Sequence, residues 1–450
     1  MPPTQKKRAD IQAALHAETS GFIEQFLNRP ATEQRLQELE LKVRDLLLQA
    51  GAKLLEPVVQ FLADQFDSSF EPGPRMRWVD RRPLGIQGLF GSMQILRDYY
   101  FDGQSGHCPA DAALALEVPY TPALSRLACR AAAQSSYREA SRDLFEYAGI
   151  AVSERQIQRV VERMAPAVGP WLKTQPFKVQ TALMYVSGDG TGVPMRKEAL
   201  AGRKGKQPDG SAKTREVKLG CVFLQTEVDA KGHPIRKEDS TSYIGSFEPA
   251  AEFGLLLRQE AQRRGMAQAT QLIFIGDGAA WVWELARVNF PTAILILDFY
   301  HAAQHLHGLV EAFLGKENGE GKKRLKLWKR WLLKDQAAQV VSQAKAELGR
   351  ALDIEEATKE IAYLENNLER MSYGTFRKAG YFIGSGVIEA GCKTVVGKRM
   401  KNSGMFWSEE GGQGVLDLRC TLLSDRLDIF CQARAAAHAA ENNLSLKIAA

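Results

Sequence analysis

Apolar residues change their period several times along the chain, and each change predicts a change of element. Between residue 6 and about 66 they recur at three- and four-residue steps with few breakers. In LQELELKVRDLLLQAGAKLL, Leu36, Leu39, Val43 and Leu46 share one helical face. That face suits packing against helices of its own domain, or a dimer contact through its short heptad-like run. Residues 77 to 107 alternate apolar and polar positions between Gly-rich turns, which predicts a small β module. Helical spacing resumes near Pro109. Two capping signatures follow, Ser136 with Glu139 and Ser153 with Gln156, separated by a turn at Gly149. In the second helix Ile157, Val160, Val161 and Met164 form a buried stripe, while Arg155, Gln156, Arg159 and Arg163 point outward. This is the layout of a helix-turn-helix whose second helix enters a DNA major groove, although Gly-joined helix pairs also occur in plain bundles.

From residue 181 the pattern becomes α/β. TALMYVSGDG reads as a strand, a long basic loop leads to a second in EVKLGCVFLQTEV, and TSYIGSF is a short third. PAAEFGLLLRQEAQRRG is a helix that starts near Pro249 and stops at Gly265. QLIFIGDG, AWVWELARVNF and AILILDFYHA then give strand, helix and strand. Three strands, helix, strand, helix, strand is the order of a ribonuclease H-like domain. Residues 302 to about 370 are charged and helical, an all-α insertion, and GSGVIEAGCKTVVGKRMKN supplies one more helix opening on Ser385 or Gly386. The expected fold is an α/β ribonuclease H-like catalytic core with a mixed five-stranded sheet and an all-α insertion. A mainly helical N-terminal region with the β module and the helix-turn-helix precedes it. The expected segments are 1–75 (helical), 76–115 (β module), 116–180 (helix-turn-helix), 181–303 (core, first part), 304–375 (insertion) and 376–450 (last core helix and C-terminal helices).

Composition narrows the function classes. Hydrophobic residues make up 45% and charged residues 25% of the 450, ordinary values for a globular protein. No unbroken apolar run approaches the roughly 18–20 residues that span a bilayer, and the N-terminus lacks the apolar core of a secretion signal. A cytoplasmic location without membrane contact is expected. The six cysteines are scattered with no CxxC pair, so neither a disulfide framework nor a cysteine zinc site is indicated. The net charge is +6. From Arg196 to Lys218 eight Lys/Arg face three acidic residues, and from Lys316 to Asp335 the count is again eight to three, with Trp328 and Trp331 interleaved. Such patches suit a polyanion, or are solvated surface.

The chemistry gathers at three carboxylates. Asp189 ends the first core strand and Asp277 the fourth, each between glycines, and in a sheet of this order those strand ends lie side by side. Glu389 sits in the first turn of the last core helix. Asp-Gly is also a plain turn signal, and the helix dipole favours a first-turn glutamate anywhere. Converging carboxylates repel unless a cation joins them, and oxygen ligands suit two Mg²⁺ or Mn²⁺ ions. Two such ions activate a water or 3′-hydroxyl and stabilise the leaving oxygen of a phosphodiester. The flanking glycines would let a DNA backbone approach. In LDFYHAAQHLHG, Asp298, His301 and His305 lie on one face, and His301 is placed to contact DNA or handle a proton.

These motifs together resemble a DDE transposase of bacterial insertion sequences, in the Mutator-like superfamily. The resemblance rests on SGDGTG, FIGDGAAWVW, LDFYHA and GSGVIEAGCKTVVGKRMKNSGMFWSEEGG and covers roughly residues 75 to 430. It implies Asp189, Asp277 and Glu389 as catalytic, metal-holding residues and Asp298 with His301 as an accessory motif. Relatives often carry paired cysteines in the β module; here Cys108 stands alone. Arg155, Arg159 and Arg163 would bind terminal inverted repeats. Lys393, Lys398, Arg399 and Lys401, which follow Glu389, would meet phosphates near the metals. Trp407 packs in the core or stacks on an unpaired base. The implied activity is metal-dependent cleavage and strand transfer of DNA by a homodimer or larger assembly. The alternative is a non-catalytic DNA-binding derivative. SGDGTG also resembles the Asp-x-Asp-Gly-Thr motif of haloacid dehalogenase-type phosphatases, but Ser187 occupies the nucleophile's position.

Overall fold

Helix α1, Arg35–Ser69, opens the described part of the chain. The computed structural model describes residues 35–116, 119–176, 183–200, 213–316 and 319–449, with scattered positions between 9 and 24; for residue 35 and residues 441–449 it gives the backbone alone. Most of the helix expected before residue 35 and the basic loop at 201–212 therefore lie outside the described residues. The chain divides into two compact units, Met1–Trp171 with Arg426–Ala450, and Leu172–Asp425.

In the first unit the β module is a hairpin, β1 Arg77–Gly88 and β2 Gly91–Phe101, with a two-residue third strand β3, Gly106–His107. Helix α1 lies along β2. Its Glu56 and Gln60 side chains accept the backbone N–H groups of Gln94 (3.0 Å) and Leu96 (2.7 Å). Beneath, Leu55 and Val59 close over a core of Ala63, Leu84, Ile86, Met93 and Ile95. Of the apolar face read from the sequence, Leu39, Val43 and Leu46 are half-buried while Leu36 is exposed. By length and composition alone α1 could cross a membrane, its mean hydropathy reaching 1.3 over a window of which 11% is buried. Lys53 and Glu56 break the run that the sequence reading sought, yet the average stays high.

Helices α2 (Pro122–Gln134), α3 (Tyr137–Ala148) and α4 (Glu154–Met164) follow. Both capping boxes form: Ser136 and Glu139 satisfy each other's backbone N–H at the start of α3, and Ser153 and Gln156 do so for α4. Gly149 ends α3 at φ +68, where a Cβ would fall 2.3 Å from Leu48 of α1. Ile157, Val160, Val161 and Met164 are buried, and Arg155, Arg159 and Arg163 are exposed. The C-terminal helix, Leu427–Ala449, groups with this unit rather than with the core, because its Asp428 pairs with Arg126 (3.0 Å) and Arg130 (2.9 Å) of α2.

The second unit is built on a mixed sheet. Of the strands β4 (Leu183–Pro194), β5 (Thr214–Val228), β6 (Pro234–Arg236) and β7 (Ser242–Ser246), β5 pairs antiparallel with the other three. Helix α5 (Ala250–Arg263) leads to β8 (Gln271–Gly276), α6 (Ala280–Asn289) and β9 (Ile294–Leu297), and β8 and β9 run parallel to β4. The order is β6-β5-β4-β8-β9, with β7 also on β5. The sheet therefore has six strands, not five. β6 is too short, at three residues, for alternation to reveal it. The following helices are α7 (Phe299–Leu314), α8 (Gly319–Leu332), α9 (Ala337–Glu347), α10 (Ile354–Asn366) and α11 (Tyr373–Lys378). Helix α12, Gly386–Gly391, continues through a π-helical stretch, Cys392–Gly397, to Met400, and α13 (Glu409–Leu423) packs on β7.

Candidate metal centre

The sheet register sets the first two carboxylates. β4 and β8 pair in parallel from Leu183↔Gln271 to Ser187↔Ile275, and the Ser187 hydroxyl donates to the Ile275 carbonyl at 2.7 Å. Asp189 and Asp277 each lie two residues past that last pair, so the register brings them to the same sheet edge. Asp189 was expected to end its strand, but β4 runs on to Pro194 against β5. What ends at this point is the pairing with β8.

Each carboxylate is held by a short-range donor. The Gly190 N–H donates to Asp189 Oδ1 (2.6 Å), and the Cys392 thiol to its Oδ2 (3.2 Å). Burial raises the Asp189 pKa, those two bonds oppose the shift, and the charge of Asp277 adds to it. Asp277 Oδ1 accepts the Ala279 N–H at 3.0 Å. Glu389, in the first turn of α12, accepts the Ser385 hydroxyl at 3.1 Å. Cys392 lies three residues beyond Glu389, so one short helical segment reaches both strands' carboxylate edge and the glutamate's position.

Asp298 is fully buried and caps α7. Its Oδ1 accepts from His301 N–H (2.7 Å) and Nδ1 (3.2 Å), its Oδ2 accepts the Ser385 N–H, and its own N–H reaches the Gly276 carbonyl (2.8 Å). Burial alone would raise its pKa, but the bonds from His301 and Ser385 outweigh that and hold it below the usual carboxylate value. His301 is raised by its bond to Asp298, against burial, and by the charges of Asp298, Asp277 and Glu389. Ligand atoms of Asp298, His301 and Glu389 lie within 4.8 Å of one another. With three donors already on Asp298, its part is to fix His301 and the start of α12. His301 and Glu389, the other two members of that group, keep ligand atoms for a cation.

The structure corrects several expectations. His305, on the face of His301, instead bonds Glu360 (2.5 Å), and His307 pairs with Glu311 (3.7 Å). Three of the glycines also make room for the chain's own side chains. A Cβ at Gly190 would meet Glu216 at 2.5 Å, at Gly276 Val282 at 2.7 Å, and at Gly278 Tyr363 at 2.4 Å. Arg399 was expected to contact DNA, yet it is 1% exposed, its guanidinium 5.0 Å from the Trp407 ring centre. Trp407 is itself buried and donates to the Met400 carbonyl (3.0 Å), a core role. Lys393 and Lys398 are exposed, and Lys401 bonds the Thr191 hydroxyl beside Asp189. Sequence reasoning missed Cys392, Ser385 and Tyr363. The first was legible in principle from its spacing to Glu389. Tyr363 was not, since it reaches the site from 86 residues away.

A cluster of carboxylate oxygens with one imidazole suits a hard divalent cation. No family model matches the chain. It is 23% identical over 409 residues to the UPF0236 protein in the vanSb 3′ region of Streptococcus gallolyticus, covering 89% of this chain and 85% of that protein. The Drosophila P element transposase strand transfer complex is similar over 69% of this chain and 80% of its own. Its identity is 10% and its TM-score 0.23, too low to carry an argument about fold or function.

Proposed function

We propose that the chain is a DNA transposase of the DDE type with a ribonuclease H-like core, cutting and joining the ends of an insertion sequence with Mg²⁺ or Mn²⁺. The observation that supports this most is the joint placement of Asp189 and Asp277 two residues beyond a shared parallel register. A bond from the Glu389-bearing helix reaches that same edge. Asp189, Asp277 and Glu389 would hold two ions, with His301 alongside. When bound, the ions activate the attacking water or 3′-hydroxyl and stabilise the departing oxygen. The protein's own part is orientation. Gly190 and Cys392 aim the Asp189 carboxylate, Ser385 aims Glu389, and Asp298 fixes the His301 ring through its Nδ1. Lys393 and Lys398 would meet phosphates, and Arg155, Arg159 and Arg163 the terminal repeats, in an assembly of two or more copies on DNA.

The test is cleavage of labelled DNA carrying the flanking element end, with Mg²⁺ or Mn²⁺, by the native chain and by Asp189→Ala. Cutting at the element boundary is expected from the native chain, with loss to background in the variant. Tight binding without cutting under either metal would replace this reading with that of a DNA-binding derivative.

A further inference from the structure

We propose that Tyr363, contributed by the helical insertion, is a positioning residue for Asp277, so that the insertion governs the geometry of the metal-binding carboxylates. The inference rests on the reading of Asp277 as a metal ligand. The Tyr363 hydroxyl donates to the Asp277 carbonyl oxygen at 2.5 Å. The next residue, Gly278, has φ +98, and a Cβ there would fall 2.4 Å from the Tyr363 oxygen. Glycine is what lets the phenol close on the main chain. The Asp277–Gly278 peptide is thus gripped on its carbonyl, while Ala279 holds the Asp277 side chain. Turning that peptide would swing the carboxylate away from Asp189.

The phenol is itself fixed from several sides. The His305 ring stacks on it, with centroids 3.4 Å apart and planes at 20°. Glu360, buried and one turn before Tyr363 on α10, holds His305 Nδ1 at 2.5 Å. Asn367 donates to the Tyr363 carbonyl (2.9 Å) and accepts the Trp283 indole N–H (2.9 Å). Trp283 lies on α6, just beyond the Asp277 turn, and Arg370 covers its ring at 4.7 Å. One edge of the insertion therefore clasps both ends of the segment from Asp277 to Trp283. A tyrosine placed only for packing would need its ring; the bond to Asp277 needs the hydroxyl.

That difference defines the experiment. Mn²⁺ binding to the full chain would be followed by the electron paramagnetic resonance of free Mn²⁺, beside thermal melting, for the native protein, Tyr363→Phe, His305→Ala and the double variant. Tyr363→Phe is expected to weaken Mn²⁺ binding about tenfold, as loss of a group that orients a metal ligand does, with little change in melting temperature. His305→Ala should weaken binding in the native background and add nothing in the Tyr363→Phe background, because both act through one contact. Native affinity in Tyr363→Phe, or full additivity in the double variant, overturns the proposal. Absence of Mn²⁺ binding by the native chain would overturn the metal reading and this inference with it. DNA cutting by the native chain with native Mn²⁺ affinity in Tyr363→Phe would overturn the inference alone.

Discussion

Asp298 and Asp417 meet the same problem, a carboxylate taken out of water, with opposite results. Three hydrogen bonds hold Asp298 below its ordinary pKa. Asp417, on α13, receives one side-chain bond, from Gln413 Nε2 at 2.8 Å, and burial pushes it up to about 7. Because the folded state binds this proton more tightly than the unfolded chain, whose Asp titrates near 3.9, the stability contributed by protonation is fully present below about pH 4. It is lost as pH rises through 7. Asp417→Asn should therefore melt close to the native protein at pH 4 and several degrees higher at pH 8, in paired scans of the two proteins. An equal or lower melting temperature at pH 8 would mean that Asp417 is ionised at no cost. Residue identity alone tells nothing of such differences. Arg399 reads in the sequence as one more cation of a basic helix, and only the packing of Trp407 and Met405 against it reveals a core residue.

At the scale of elements, what could be read in advance is what is encoded locally. Both capping boxes and the Gly149 turn involve residues within three or four positions of one another, so α3 and α4 were legible almost to the residue. Most strands of the core were legible too, as apolar runs bounded by turn residues. Strand β6 was not, and neither was the π-helical stretch after Glu389, since nothing in six residues of sequence marks a shift from α to π spacing. The contact of Tyr363 with Asp277 depends on a pairing across 86 residues, beyond any periodicity. The local encoding of α4 also separates folding from function. Ser153→Ala removes the acceptor for the Gln156 N–H and should cost about 1 kcal/mol in denaturant unfolding. Arg155→Ala with Arg159→Ala, both on the exposed face, should leave stability within about 0.5 kcal/mol while weakening binding to element-end DNA. Loss of stability without loss of binding in the arginine variant would mark α3 and α4 as a plain helical pair.

At the scale of the whole molecule, the exposed cations fall in both compact units. The first carries Arg155, Arg159 and Arg163 on α4; the second carries Lys322, Lys326 and Arg330, which recur every four residues along the exposed face of α8. The mild net charge of +6 conceals this, because acidic residues elsewhere cancel most of it. If DNA is held by both units, each cation that meets a phosphate releases counterions, and log K falls against log salt by about 0.9 per contact. Replacing Lys322, Lys326 and Arg330 together by glutamine should then reduce the magnitude of that slope by about 2–3 and weaken binding to all sequences alike. Replacing Arg155 and Arg159 should weaken binding to the element end more than to unrelated DNA, because a recognition helix also reads base edges. Titrating fluorescent end DNA and a scrambled duplex at several salt concentrations measures both quantities. An unchanged slope in the α8 variant would remove the insertion from the DNA surface, and α10, through Tyr363, would remain the insertion's tie to the carboxylates.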